Sequence, residues 1–463
     1  MSTPPAARLR LGLVGLLLTT ACACPSFREH RPPPGTHVSI PTVETVPQPP
    51  PADPELAGLE AIPLIRLTGD GYARGFQYGR AMQALWRKSV AALEARAVDL
   101  VGEFVPSSSM ARTVVRQVGA VIVQRCCGGS ADSRAEVFLP VEYRGYVQGI
   151  ADGAQLDAGA VQRLIAFVML SDASCSGFVA FGPATRDGRL LQLRNLDWGD
   201  DELPVAKHAV LLVHEPPGKR RYLSIGFVGL VGTVSGINDA GISLTEIGAD
   251  SADWTERGMP MPLLLEKVLA EASTLDEAVR ILRTTPGNGG YNYLIGSARE
   301  RRGAVVEATA RHAAVFEIGP DNYADNPAFF GFTGFDARSS VAAAPGIRSL
   351  QECAGGPGSP FGHPAYEERY KRQIEMFEGF DRTLDIERAA SIGRAVCPGE
   401  NVQSVLYDFD RHRVYVRNRA WFKDGRTNLG AADRQRIVAG AQEPAVVDLR
   451  RIFPAVPAPR QPR

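Results

Sequence analysis

Asp172-Ala-Ser-Cys175-Ser-Gly-Phe-Val-Ala-Phe-Gly-Pro-Ala-Thr-Arg-Asp-Gly-Arg-Leu-Leu-Gln-Leu-Arg194-Asn195-Leu-Asp197-Trp198 is the stretch whose reading decides the fold. One cysteine opens an apolar run, Phe178 to Phe181. A turn signal follows at Asp187-Gly188, and a second apolar run, Leu190 to Leu193, ends in Arg-Asn-Leu-Asp. Two such runs about an Asp-Gly turn predict a β-hairpin. A hairpin returns the end of its second strand to the start of its first, so Cys175 is expected beside Arg194 and Asp197. A thiol held against a guanidinium and a carboxylate is a candidate nucleophile.

Upstream of the hairpin the pattern is mostly helical. Ile62 to Leu67 reads as a short strand, and Tyr72 to Phe104 carries apolar residues at helical spacing. Helices are also expected over Glu142–Ala154 and over Ala158–Leu170, the latter capped by Asp157. Downstream, short β-like runs dominate: Ala209–Val213, Tyr222–Val228, Ile242–Ile247, Tyr291–Ile295, Ala304–Glu307, Ala314–Ile318, Val402–Tyr407 and Arg413–Val416. Helices are expected at Pro262–Ala272, at Leu275–Arg283 behind the capping box Thr274-x-x-Glu277, and at Tyr366–Phe377. Strands in runs with grouped helices argue an α+β sandwich rather than alternating βαβ units.

The N-terminus is set apart from this body. Arg8 and Arg10 precede Leu11 to Leu18, and Thr-Thr-Ala-Cys22 follows, which reads as a secretory signal over residues 1–22. The apolar run is shorter than the roughly 20 residues a membrane span needs. Small residues before Cys22 resemble a lipobox, with Cys22 as the lipid-bearing residue, although Thr19 stands where Leu is usual. Ordinary cleavage after Ala21-Cys22-Ala23 is the other reading. Residues 23–55, with Pro32-Pro-Pro34 and Pro47-Gln-Pro-Pro-Pro51, form an extended spacer. The expected location is the bacterial cell envelope, lipid-anchored or periplasmic. Residues 56–174 form the helical N-terminal region, 175–453 the catalytic region and 454–463 a disordered tail.

Lys and Arg balance Asp and Glu at 51 each among 463 residues, so the charge gives no support for a nucleic-acid partner. The seven cysteines, Cys22, Cys24, Cys126, Cys127, Cys175, Cys353 and Cys397, match no structural zinc spacing. Export permits disulfides, with Cys353–Cys397 or a pair through Cys126 or Cys127 as candidates. A papain-like enzyme needs a histidine at Cys175, and none of the seven histidines lies in a recognisable motif. No two of them share a helical face at i, i+4 as a zinc site would. The other way to activate a cysteine is to cut the chain before it. The freed α-amine, whose ordinary pKa is about 7.7–8.0, then serves as the base.

The motif Cys-Ser-Gly-Phe, then Asp-Gly-Arg-Leu-Leu, then Arg-Asn-Leu-Asp-Trp resembles the acyl-coenzyme A:6-aminopenicillanate acyltransferase family of N-terminal nucleophile (Ntn) hydrolases. That family is related to choloylglycine hydrolases and acid ceramidases. Pro63-Leu-Ile-Arg-Leu-Thr-Gly-Asp-Gly-Tyr-Ala-Arg-Gly-Phe-Gln-Tyr-Gly79 resembles its propeptide opening. Gly236 to Ser243, Tyr291 to Gly296 and Val305-Val-Glu-Ala-Thr309 fit its sheet. The resemblance covers most of residues 60–420 and implies a four-layer αββα sandwich with an N-terminal helical propeptide region.

Carried over by position, the resemblance implies cleavage of Ser174–Cys175, with Cys175 as both autoprocessing residue and nucleophile. Asp197 then orients the amine and Arg194 steadies thiolate and substrate. Asn292 donates to the oxyanion, a contact worth about 3–4 kcal/mol. Arg369, in Tyr366-Glu-Glu-Arg-Tyr-Lys-Arg372, matches a late arginine. Thr245-Glu246 replaces the asparagine of choloylglycine hydrolases. This argues against bile salts and makes Glu246 a candidate substrate-binding residue, like the acidic residue of ceramidase-like relatives. Its other reading is a strand-end carboxylate.

The expected activity is hydrolysis or transfer at a linear amide through an acyl-thioester, with an N-acyl amino acid or a lipid amide as the small-molecule substrate. No metal or cofactor is called for, and the processed α and β chains are expected to stay associated. The alternatives are a phospholipase B-like ester hydrolase and a non-catalytic envelope lipoprotein that uses the fold for binding.

Overall fold

The computed structural model describes residues 31–33, 36–102, 141–162, 174–198, 207–248, 255, 258–317, 330–333, 364–381, 383–427 and 429–454. In chain order the elements begin β1 (Val43–Pro47), β2 (Leu56–Ala57), β3 (Ala61–Thr68), α1 (Gly71–Ala81), α2 (Gln83–Gly102) and α3 (Val141–Ala154). The hairpin strands are β4 (Ser174–Gly182) and β5 (Gly188–Asp197). Then come β6 (Ala209–Glu215), β7 (Tyr222–Phe227), β8 (Ser235–Asn238) and β9 (Ile242–Gly248). Next are α4 (Met261–Glu271), α5 (Leu275–Thr284), β10 (Tyr291–Ser297), β11 (Arg302–Ala308), β12 (Ala313–Glu317) and β13 (Phe330–Thr333). The last are α6 (Pro364–Gly379), α7 (Ile386–Ala395), β14 (Asn401–Asp408), β15 (Arg413–Asn418), β16 (Trp421–Phe422), α8 (Ala431–Ile437), β17 (Ala445–Asp448) and α9 (Leu449–Ile452).

Two sheets form the centre. The larger has nine strands in the order β1-β3-β6-β7-β8-β9-β10-β11-β12, and the smaller six, β13-β4-β5-β14-β15-β17. All pairings are antiparallel except β3 with β6. Strand β4 packs face to face on β9, β10 and β11, joining the sheets. Helices α4 and α5 cover the nine-stranded sheet, and α6 and α7 the six-stranded one. This is the α+β, αββα sandwich expected from the Ntn-hydrolase resemblance. Among the described residues no helix is long and apolar enough to cross a membrane.

The N-terminal region is built into this sandwich. Strand β3 lies inside the nine-stranded sheet, Leu64 opposite Leu211 of β6. Ile62 and Leu64 are buried on one face of β3 and Ile65 and Leu67 on the other, so the strand is covered from both sides. Strand β1, within the segment read as spacer, continues the sheet by pairing Val43 with Ile65 and Val46 with Ile62. The helical run from Tyr72 divides at Met82, where α1 ends with φ −113° and ψ 26°. Asp157 caps its helix as expected, accepting from Gly159 N at 2.9 Å, and residues 158–162 are helical.

Helices α1 and α3 cross at backbone contact. Gly71, Gly75 and Gly79 repeat every four residues on α1, as do Gly145, Gly149 and Gly153 on α3. Such a spacing makes one side-chain-free stripe per helix. A Cβ on Gly75 would lie 2.0 Å from Tyr146 O, and one on Gly149 2.2 Å from Tyr72 O. The signal, Cys22, the tail 455–463 and Cys126, Cys127 and Cys353 lie outside the described residues. Cys397 holds a free, buried thiol that donates to Gly393 O at 3.2 Å, so the Cys353–Cys397 disulfide is not formed.

Candidate active site

The hairpin forms with the register that the sequence implies, but its connection is longer. The strands are joined through Pro183–Asp187, with a bulge between Ala180 and Gly182, and Gly188 adopts φ +72°. Cys175 pairs with Leu196, and Gly177 with Arg194. Cys175 and Arg194 are therefore diagonal neighbours on one face. A Cβ on Gly177 would lie 2.4 Å from Leu193 O, so the strands approach closely opposite Arg194.

That face meets the nine-stranded sheet. Arg194 Nη2 donates to Cys175 Sγ at 3.2 Å and to Glu246 Oε1 at 2.9 Å, while Nη1 donates to Ser235 Oγ at 3.0 Å. Cys175, Arg194, Ser235 and Glu246 are all at most 1% exposed. Ser235, the first residue of β8, has no motif around it and was not expected here. Glu246 lies one residue past Thr245, whose partner Ser235 begins β8. Its carboxylate reaches the arginine from beyond that strand's start.

Burial dominates the electrostatics. It pushes the Cys175 thiol up to about 12, Arg194 draws it down and Glu246 pushes it up again. Burial also raises Glu246, opposed by Arg194. In the continuous chain Cys175 is thus a protonated thiol at neutral pH, and its activation has to come from a base.

Asp197 lies beside Cys175 as the hairpin implies, its charge pushing the thiol up and its backbone hydrogen bond drawing it down, but its carboxylate bonds to other groups. Its backbone pairs with Ser174, one residue from Cys175, but strand alternation turns its carboxylate to the opposite, helix-covered face. There Arg369 Nη1 donates to Oδ2 at 2.6 Å and Asn401 Nδ2 to Oδ1 at 2.9 Å. Burial raises Asp197 to about 6 against the pull of Arg369 and Asn401. Arg369 therefore reaches the nucleophile strand through Asp197. Asn401 was missed, since it belongs to no motif and is brought in only by β14 pairing with β5.

Asn292 pairs with Ile247 and Glu307. Leu294, two residues on, packs with Val179 and Phe181 of β4, so alternation aims Asn292 at the same inter-sheet face as Cys175. Among the described residues no histidine hydrogen-bonds to Cys175. His214 is buried by the N-terminal helices, accepting from Arg74 Nη1 at 2.9 Å. Among the described residues no three His, Cys, Asp or Glu side chains are grouped to hold a metal ion.

Residues 184–325 match the model of the acyl-coenzyme A:6-aminopenicillanic acid acyl-transferase family. An uncharacterised protein of Archaeoglobus fulgidus is 26% identical over 284 residues, 54% of this chain and 44% of that protein. Protein dcd1A of Dictyostelium discoideum is 26% identical over 189 residues, 39% of this chain and 43% of its own length. The chain thus spans less than half the length of these curated relatives. A Caenorhabditis elegans N-acylethanolamine-hydrolyzing acid amidase ortholog is 16% identical with TM-score 0.37, covering 50% of this chain and 92% of that one. The cysteine hairpin of β4 and β5 runs into the segment that is similar to the acyl-coenzyme A:6-aminopenicillanic acid acyl-transferase family.

Proposed function

We propose that this chain is an autoprocessing cysteine hydrolase or acyltransferase acting on a linear acyl amide. The observation that carries the reading is Arg194 Nη2, which touches Cys175 Sγ and Glu246 Oε1 together at the head of β4. Cys175 Sγ attacks the Ser174 carbonyl, the peptide rearranges to a thioester, and water releases the Ser174 carboxylate. The freed Cys175 amine then takes the thiol proton as the thiolate attacks a substrate carbonyl. It returns that proton to the leaving amine, and water or an acceptor amine resolves the acyl-thioester. Arg194 steadies the thiolate, Asn292 donates to the oxyanion, and Asp197, held by Arg369 and Asn401, orients the head of the strand. Glu246 fixes the arginine and borders the substrate. The chemistry draws on no cofactor.

The substrate class is an N-acyl amino acid or a lipid amide. Residues 1–22 direct export, with Cys22 as a lipid anchor to the envelope membrane.

The two products of cleavage stay together. Strand β3 is hydrogen-bonded inside the catalytic sheet, and Arg74 of α1 is buried against His214, Tyr222 and Glu266 of the later chain. Purified protein should show two fragments, the second beginning at Cys175, and should release free acid from acyl amides. Release from lysophospholipids alone would favour the ester hydrolase. One uncleaved chain whose Cys175→Ala variant binds identically would favour the binding module.

A further inference from the structure

The outer face of the nucleophile hairpin carries polar groups that this mechanism leaves unused. Along that face the rungs run Ser174–Asp197, Ser176–Asn195, Phe178–Leu193 and Ala180–Leu191. Helix α6 runs over them: Arg369 meets Asp197, and Phe377, eight residues on, packs with Phe178, Leu191 and Leu193. Gln373 is one i, i+4 step from each, so the helix sets it over the Ser176–Asn195 rung. Gln373 is 0% exposed, and among the described residues neither end of its amide has a hydrogen-bond partner.

Asn195 is equally buried. Its Nδ2 donates to Ser176 Oγ at 3.2 Å and to Gly393 O at 2.9 Å. A backbone carbonyl only accepts, which fixes the nitrogen end of the amide. Asn195 Oδ1 is left buried and, among the described residues, without a partner. Two buried acceptors thus stand on the rung that follows Cys175, and groups of this kind are costly to leave unmade.

We propose that Asn195 and Gln373 are positioning residues for the α-amine of Cys175. The proposal rests on the Ser174–Cys175 cleavage proposed above. In the uncleaved chain that nitrogen is an amide with one N–H and a delocalised lone pair. Adding water across the peptide leaves a carboxylate on Ser174 and a primary amine on Cys175. A neutral amine has two N–H donors and one lone pair. Asn195 Oδ1 and Gln373 Oε1 take the two donors from the helix side, turning the lone pair toward the face where Sγ lies. The charged or titratable groups around this site are Arg194, Asp197, Arg369, Glu246, Tyr407 and the thiols of Cys175 and Cys397. Asn195 and Gln373 are neutral, so removing either changes the amine's orientation without changing net charge.

The test uses processed enzyme and its Gln373→Met and Gln373→Glu variants, following alkylation of Cys175 by iodoacetamide against pH by intact mass. The Met variant should react about tenfold more slowly at pH 7, with its profile moved toward that of an ordinary thiol, and the Glu variant, which keeps an acceptor while its added charge favours the ammonium form, should react faster than the Met variant. Superimposed profiles for all three would overturn the proposal while leaving the cleavage reading standing. An uncleaved parent would sink both. In a Cys175→Ala precursor, Gln373→Met should melt no lower than Cys175→Ala alone. A lower melting temperature, or failure to fold, would show the amide already satisfied before cleavage and would also overturn the proposal.

Discussion

Replacing Glu246 by Gln keeps an acceptor beside Arg194 and removes one buried negative charge. Arg194 Nη2 lies 3.2 Å from Cys175 Sγ and 2.9 Å from Glu246 Oε1, so sulfur and carboxylate are at most about 6 Å apart. At an effective dielectric constant of about 20, two unit charges at that distance repel by about 3 kcal/mol. A thiolate in the parent carries that penalty, and in the variant it does not. At about 1.4 kcal/mol per pH unit, the Cys175 thiol should ionise about two units lower than the parent's value of about 12. The same change leaves a buried guanidinium without its counter-charge, which costs roughly 3–5 kcal/mol of stability. The assay is thiolate absorbance near 240 nm on uncleaved chain, taken as the difference from Cys175→Ser protein to subtract tyrosine. Thiolate should appear by about pH 10 in Glu246→Gln and not in the parent. Coincident titrations would refute the idea that Glu246 and Cys175 compete for one guanidinium.

Three further outcomes follow from other parts of the molecule. Gly75→Ala puts a methyl 2.0 Å from Tyr146 O and should cost about 3 kcal/mol or more by chemical denaturation, whereas Gly379→Ala, where nothing lies within 4 Å, should cost little. Arg74→Met strands Glu266 and Tyr222, which share a 2.5 Å hydrogen bond, and should cost roughly 3–5 kcal/mol. After processing it should let the N-terminal fragment separate on size exclusion, where the parent's fragments co-elute. Asp197, raised to about 6 in the fold and about 3.9 unfolded, binds more protons when folded between these values. Its contribution to stability is present below about pH 4 and lost as pH rises through 6. Melting temperatures across pH 4–7 should show this fall in the parent and a flatter course in Asp197→Asn.

Much of the site was legible because it lies on a hairpin. Once Cys175 and Arg194 are known to flank one turn, a period of two along each strand brings the thiol to the guanidinium. The same period explains what the motif hid. Asp197 is an odd number of residues from Arg194, so it had to face the other way, toward Arg369 and Asn401. Those partners arrive through α6 and β14, from about 170 and 200 residues away, and no local pattern announces them. The glycines of α1 and α3 stood in plain sight at four-residue spacing, yet the run from Tyr72 was read for its apolar residues. Arg74 was hidden for another reason: a charged residue in an amphipathic helix is usually solvated, and only the fold shows it 1% exposed.

The central claim is that Cys175 works as a chain terminus. Intact-mass analysis with N-terminal sequencing tests it most directly, on purified protein beside its Cys175→Ala variant. The account predicts a fragment beginning Cys175-Ser-Gly-Phe in the parent and an unbroken chain in the variant. An unbroken parent chain that still hydrolyses acyl amides would contradict it.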